Sequence, residues 1–147
     1  MPKNPPEDMP RITPTIFYED VPAALDWLSR AFGFRERMRM PGPDGSIMHA
    51  EMELADGVIM LGRPPEYRNP RHLGGSTQSV YVYVDDVDEH FRRARDAGAT
   101  IRSEPKDEFW GDRFYGVEDL EGHTWMFGTH IRDVSPQEIE EAMKQPA

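Results

Sequence analysis

His49, Glu51 and Glu53 stand two residues apart in one short run. In an extended strand that spacing puts all three on one face. An imidazole beside a carboxylate can serve there as a ligand pair, as an acid–base pair for proton transfer, or as a hydrogen-bonded polar patch lining a pocket. A second constellation is Trp110-Gly111-Asp112-Arg113. Arg113 can anchor a carboxylate or carbonyl while Trp110 stacks on a planar ligand. Alternatively, Asp112 and Arg113 form a salt bridge that holds the start of a strand. A third group is Tyr81 and Tyr83, which alternate with Val80, Val82 and Val84. The valines suit a core stripe, so the tyrosines face the other way. Thr15 and Phe17 take the matching places in an earlier strand. Such a lining, apolar with a few hydroxyls, is the usual composition of a small-molecule site.

The elements that position these residues come from a faint internal repeat. Glu19-Asp20-Val21 opens one stretch and Asp85-Asp86-Val87 opens another, with Asp20 and Asp86 standing 66 positions apart. Each follows a run of β-branched and aromatic residues, and each precedes an amphipathic segment. Asp20 can cap a helix whose first turn holds Pro22. Ala24, Leu25, Leu28, Ala31 and Phe32 then share one face, and Gly33 ends the helix. Strands are expected at Ile12 to Tyr18, Phe34 to Met40, Ile47 to Leu54 and Val58 to Leu61. The second half repeats the plan: a strand over Thr77 to Val84, a helix from Asp86 with Glu89 completing a capping box, and strands near Thr100 to Ser103, Phe114 to Glu118 and Thr124 to Gly128. Ser135-Pro136-Gln137-Glu138 is a further capping box that starts a short C-terminal helix.

The expected organisation is a disordered lead over 1–11, a βαβββ module over 12–62, a linker over 63–75, a second module over 76–130 and a C-terminal helix and tail over 131–147. The linker reads as a loop, with His72 and the later His130 flanking loops. His90 reads as a residue on an exposed helix turn and His123 as a turn residue. Two small modules that cannot each bury a core should share one or pair across a dimer. The fold class is α+β, with the two modules curving a mixed sheet around a cavity.

The bulk properties narrow the function. The net charge is −10, which disfavours nucleic acid and anionic lipid as partners and suits neutral or cationic ligands. With no cysteine, thiolate chemistry, disulfides and iron–sulfur ligation are excluded. No apolar run approaches the length of a membrane span, and the expected location is cytoplasmic. Phosphate-binding glycine loops, dinucleotide fingerprints and the Gly-x-Ser-x-Gly elbow are absent.

The two-module plan resembles the vicinal oxygen chelate superfamily, which holds glyoxalase I, the bleomycin resistance proteins and the extradiol dioxygenases. The likeness is carried by Ala24 to Phe34, His49-Ala50-Glu51-Met52, Val84-Asp85-Asp86-Val87, Trp110 to Gly116 and Asp119-Leu120-Glu121-Gly122-His123-Thr124-Trp125. It implies two βαβββ modules enclosing a cavity, often across a homodimer, and a small-molecule ligand. In metal-dependent members the resemblance implies four cavity ligands, which fall here on Thr13, Leu61, Ser79 and Met126. None is a normal ligand for a hard or borderline divalent cation. The expectation is therefore no metal and no cofactor at that position.

These readings lead to a metal-free protein that binds a planar or cationic organic compound, with Thr15, Phe17, Glu53, Tyr81, Tyr83 and Trp110 around the ligand. The alternatives are an enzyme with a non-standard metal set, a metal-free enzyme using His49, Glu51 and Arg113, and a dimeric interaction module with a vestigial cavity.

Overall fold

The computed structural model describes residues 1–145; Pro146 and Ala147, the end of the expected tail, lie outside the described residues. Both aspartates that punctuate the repeat cap helices. The Asp20 carboxylate accepts from Ala23 N at 3.0 Å and starts α1, Val21–Phe32. Gly33 closes α1 with φ of 84°, a left-handed conformation that glycine adopts without strain. The Asp86 carboxylate accepts from Glu89 N at 3.1 Å and starts α3, Val87–Asp96. The expected return bond from Glu89 is not formed, so this cap is half of a box. The complete box is at Ser135 and Glu138, which bond reciprocally to open α4, Pro136–Met143.

The strands are β1, Thr15–Phe17; β2, Arg35–Pro41; β3, Ile47–Leu54; β4, Gly57–Gly62; β5, Ser79–Tyr83; β6, Thr100–Asp107; β7, Asp112–Glu118; and β8, Thr124–His130. They form two four-stranded sheets, in the orders β1-β4-β3-β2 and β5-β8-β7-β6. In each sheet the first pair is parallel and the others are antiparallel. The repeat is thus two βαβββ modules with one topology. Among the described residues, β1 and β5 do not pair with each other. The chain therefore holds two mixed sheets, one per module as expected, and no closed barrel.

Two further differences have local causes. Strand β6 runs past Pro105 because it is an edge strand, where a missing N–H is tolerated; the ladder skips between Ser103 and Lys106. Within 63–75, Asn69 caps a one-turn helix, α2, Pro70–Leu73, accepting from His72 N at 3.2 Å. Asn followed by Pro is a helix start in the sequence as well. Residues 1–14 contain no helix or strand, and Arg37 Nη1 donates to the Asp8 carbonyl at 3.1 Å.

One core joins the modules. Helix α1 buries Leu25, Trp27, Leu28 and Phe32, and the Phe32 ring packs on Trp125 and Phe127 of the second sheet. Polar pins cross the same boundary. The Tyr18 hydroxyl donates to Asp119 Oδ2 at 2.6 Å, and Glu121 accepts from Glu19 N and Asp20 N at 2.7 and 2.9 Å. Asp119 also takes Trp125 Nε1 at 3.0 Å and the amides of Glu121 and His123. Burial raises the Asp119 carboxyl, but the bonds from His123, Tyr18 and Trp125 outweigh it and hold the group below its ordinary range. The Asp119 to Trp125 stretch is therefore the buckle between the modules.

His90 differs from its expected place on an exposed helix turn. It is half-buried between the modules, with Nδ1 2.6 Å from the Tyr115 hydroxyl and Nε2 2.8 Å from the Phe32 carbonyl. Burial lowers its pKa below the usual histidine value. Helix α3 looks solvated along its length, yet α1 packs against it and covers this turn.

Candidate functional site

Strand alternation gives each sheet a helix face and an open face. In the second sheet Val80 and Val82 pair with Trp125 and Phe127 on the helix face. Tyr81 and Tyr83 therefore take the open face, with Met126 and Gly128 as their partners. Phe114, opposite Gly128, shares that face. In the first sheet Ile16, Leu61 and Ala50 form the helix-side row, while Thr15, Met60, Glu51 and Met38 form an open-face row. Phe17, Gly62, His49 and Met40 form the next.

The open face of the second sheet is organised by Asp112, which is buried at 2 % exposure. Its Oδ2 accepts from Tyr81 Oη at 2.8 Å, Tyr83 Oη at 2.9 Å and Trp110 Nε1 at 3.3 Å. Its Oδ1 lies 2.8 Å from His130 Nδ1, and His130 Nε2 lies 2.7 Å from Asp133 Oδ1. Burial would raise the Asp112 carboxyl, but the bonds from His130, Tyr81, Tyr83 and Trp110 hold it below its ordinary range. Desolvation and the bond to Asp112 push the Tyr81 hydroxyl well above its usual value, so it stays protonated. The bond to Asp112 also raises the Tyr83 hydroxyl. Asp133, and then Asp112, raise the His130 imidazole. Around this carboxylate the rings form a connected array: Tyr81 and Tyr83 at 5.3 Å, Tyr81 and Phe114 at 6.0 Å, Trp110 and Phe114 at 5.4 Å.

Asp112 and His130 are the residues of this site that the sequence hid. In the sequence Asp112 stands only as a partner for Arg113, and His130 as a residue flanking a loop. Nothing local links positions 81, 112 and 130; strand pairing does. Arg113 goes elsewhere. It lies on the helix face, where Asp88 of α3 holds it at 3.1 Å and Asp107 at 3.0 Å. It is not brought together with His49 or with the tyrosines.

The first sheet's open face is polar. His49 Nε2 is 3.2 Å from Glu51 Oε2. Glu53 accepts from Arg35 Nε at 2.9 Å and lies 3.8 Å from Arg37 Nε. Clefts divide the expected ligand residues between them. Tyr81 and Tyr83 line an apolar cleft of about 310 Å³ with Ile12, Pro14 and Phe34. Thr15 and Phe17 line another of about 370 Å³ with Tyr67, Gln78 and His123. Glu53 borders a third, of about 860 Å³, against the N-terminal lead. The first borders β5 and the second borders β1, so the expected ligand residues of the two sheets do not share one cleft.

The family's divalent site does not fit these residues. Leu61, one of the four expected positions, is fully buried on the helix side. Register shows that Met60 is the open-face counterpart: Thr15 stands opposite Met60 as Tyr81 stands opposite Met126. Two thioethers, two hydroxyls and the neighbouring Thr13 and Ser79 are poor donors for a hard or borderline divalent ion. Among the described residues no three His, Asp or Glu side chains are grouped so as to hold a metal.

Topology, shared core and buckle define a known class. The family model of the glyoxalase/bleomycin resistance protein/dioxygenase superfamily matches residues 10–127, and the chain belongs to that superfamily. Among its relatives is the uncharacterized protein Mb0911c of Mycobacterium bovis, 36% identical over 140 residues, which cover 91% of this chain and 92% of that one. Among solved structures, TioX from Micromonospora sp. ML1 is 41% identical, with a TM-score of 0.67 over 82% of this chain and 99% of that one. The fosfomycin resistance protein FosX of Listeria monocytogenes, 13% identical, has a TM-score of 0.63 over 89% of this chain and 98% of its own; it shares the fold. No helix among the described residues is long and apolar enough to cross a membrane.

Proposed function

We propose that this chain binds a small planar organic molecule on the open face of its second sheet, without a divalent metal at the superfamily's ligand positions. The observation that carries the proposal is Asp112: one buried carboxylate orients Tyr81, Tyr83 and Trp110 together. Aromatic groups fixed before binding lose little entropy when a ligand stacks on them. The adjoining apolar cleft of about 310 Å³ supplies a slot at the edge of that platform. The net charge of −10 favours a neutral or cationic guest over an anionic one. Sequestration of a toxic compound in the cytoplasm is the biological form of this proposal, in keeping with the bleomycin resistance proteins of the superfamily. A second copy of the chain would cover the open faces, where Phe17 and Tyr83 are 42 % and 60 % exposed, and complete the cavity.

The test is a thermal-shift and tryptophan-fluorescence titration against planar heteroaromatics and bleomycin-type cations, with and without added divalent metal. Saturable binding in metal-free buffer is the expected outcome. Binding that requires metal, or turnover of a bound compound, would replace the proposal with an enzyme.

A further inference from the structure

The first sheet's open face carries a second set of donors. Met40 is the direct cross-strand partner of His49. Met38, from β2, and Met60, from β4, stand opposite Glu51 on its two sides. Directly opposed residues have Cβ atoms about 4.5–5.5 Å apart, and diagonal neighbours lie about 7–8 Å apart. The unbranched methionine side chain spans such distances with three rotatable bonds. The thioethers of Met38 and Met40 can therefore converge on the His49 ring. They are not consumed by packing: Met38 is 36 % exposed and Met40 50 %.

The His49–Glu51 contact adds a directional element. Nε2 lies 3.2 Å from the Glu51 carboxylate. A carboxylate in that place favours the tautomer with the proton on Nε2, leaving the Nδ1 lone pair free. Metal-binding histidines are oriented by this kind of partner. Thioether sulfur and imidazole are soft and intermediate donors, suited to monovalent copper and poor for hard divalent ions. The chain has no cysteine to compete for such an ion.

We propose that His49, Met38 and Met40 form a binding site for a soft monovalent cation of the Cu(I) class, with Glu51 orienting the imidazole. Met60, whose sulfur lies 3.9 Å from the Thr15 hydroxyl, is the outlying fourth donor. The core of the site, His49, Met38 and Met40, lies beside the superfamily's divalent position and meets it only at Met60; it is separate from the aromatic face of the second sheet, so it stands or falls independently of ligand binding there.

Ag(I), a redox-inert ion of the same class, tests it on the full-length chain in chloride-free buffer. Calorimetry should show one tight equivalent, and the methionine ε-methyl NMR signals of Met38 and Met40 should move most. The M38L/M40L double variant, which keeps apolar bulk at exposed positions, should bind at least tenfold more weakly. His49→Gln should weaken binding comparably. Unchanged affinity in both variants, weak uptake spread evenly over the nine methionines, or no uptake by the wild-type chain would each overturn the site.

Discussion

The two sheets have the same strand order and matching register, yet their open faces are built on different physics. On the second sheet the carboxylate of Asp112 is withdrawn from water and takes every bond from surrounding side chains. On the first, Glu51 and Glu53 stay partly wet and pair with His49, Arg35 and Arg37. A buried carboxylate must be fully hydrogen-bonded, so it dictates the placement of its donors. A hydrated one can exchange a side-chain partner for water at little cost. The second face is therefore a preorganised aromatic platform, and the first an adaptable surface of thioethers and charge.

Removing the carboxylates should separate the faces most sharply. Asp112→Ala leaves Tyr81, Tyr83, Trp110 and His130 without their shared partner and should cost about 1–3 kcal/mol in urea unfolding. Glu51→Ala should stay within about 0.5 kcal/mol, as surface changes usually do. Equal costs would erase the distinction between the faces. Ligand binding comes next. Trp110→Ala or Tyr83→Ala should weaken a planar guest by roughly the 0.5–1.5 kcal/mol of an aromatic contact, while His49→Ala leaves its affinity unchanged. A reversed pattern would move the site to the first sheet.

Acidity probes the same network more gently. The His130 pKa is raised, by Asp133 first and Asp112 second. A raised value contributes stability that is complete below the unfolded histidine value of about 6.5 and is lost as pH rises through the folded value. Asp112 is depressed, so its contribution is complete above the ordinary carboxylate value of about 3.9 and is lost as pH falls through the folded value. The His130 midpoint by NMR should lie above that of a free histidine and fall in Asp112→Asn. An unmoved midpoint would disconnect His130 from the platform. Arg113→Gln should touch stability alone. Its ion pairs with Asp88 and Asp107 are partly exposed, so the change should cost no more than about 1 kcal/mol and leave planar-ligand affinity intact.

Local chemistry made much of the fold legible. Asp20 and Asp86 announce two helices in equivalent places, and the valine–tyrosine alternation assigns the faces of β5. The position that the resemblance implies at Leu61 falls one residue off the open face, because the turns before β4 and β8 differ in length. Gly57 is already paired with Leu54 across a two-residue turn, whereas Gly122 lies inside the longer turn between Glu118 and Thr124. The strands are therefore related by 66 positions and the glycines by 65. The aromatic residues of the platform were visible as types, but their organiser was not. Asp112 meets Tyr81 and His130 only through pairing of β5, β8 and β7, and no short-range pattern encodes that meeting.

The central claim is that a planar guest is held by the second sheet's aromatic face without metal. The chain's three tryptophans allow a direct measurement. Trp27 and Trp125 are buried in the core, whereas Trp110 borders the open face. In EDTA-treated protein, ¹H–¹⁵N indole signals should be followed while acridine and its cationic N-methyl derivative are titrated in. The Trp110 signal should shift saturably with the Trp27 and Trp125 signals nearly still. No shift until a divalent metal is restored, or shifts confined to residues around His49 and Glu51, would contradict the account.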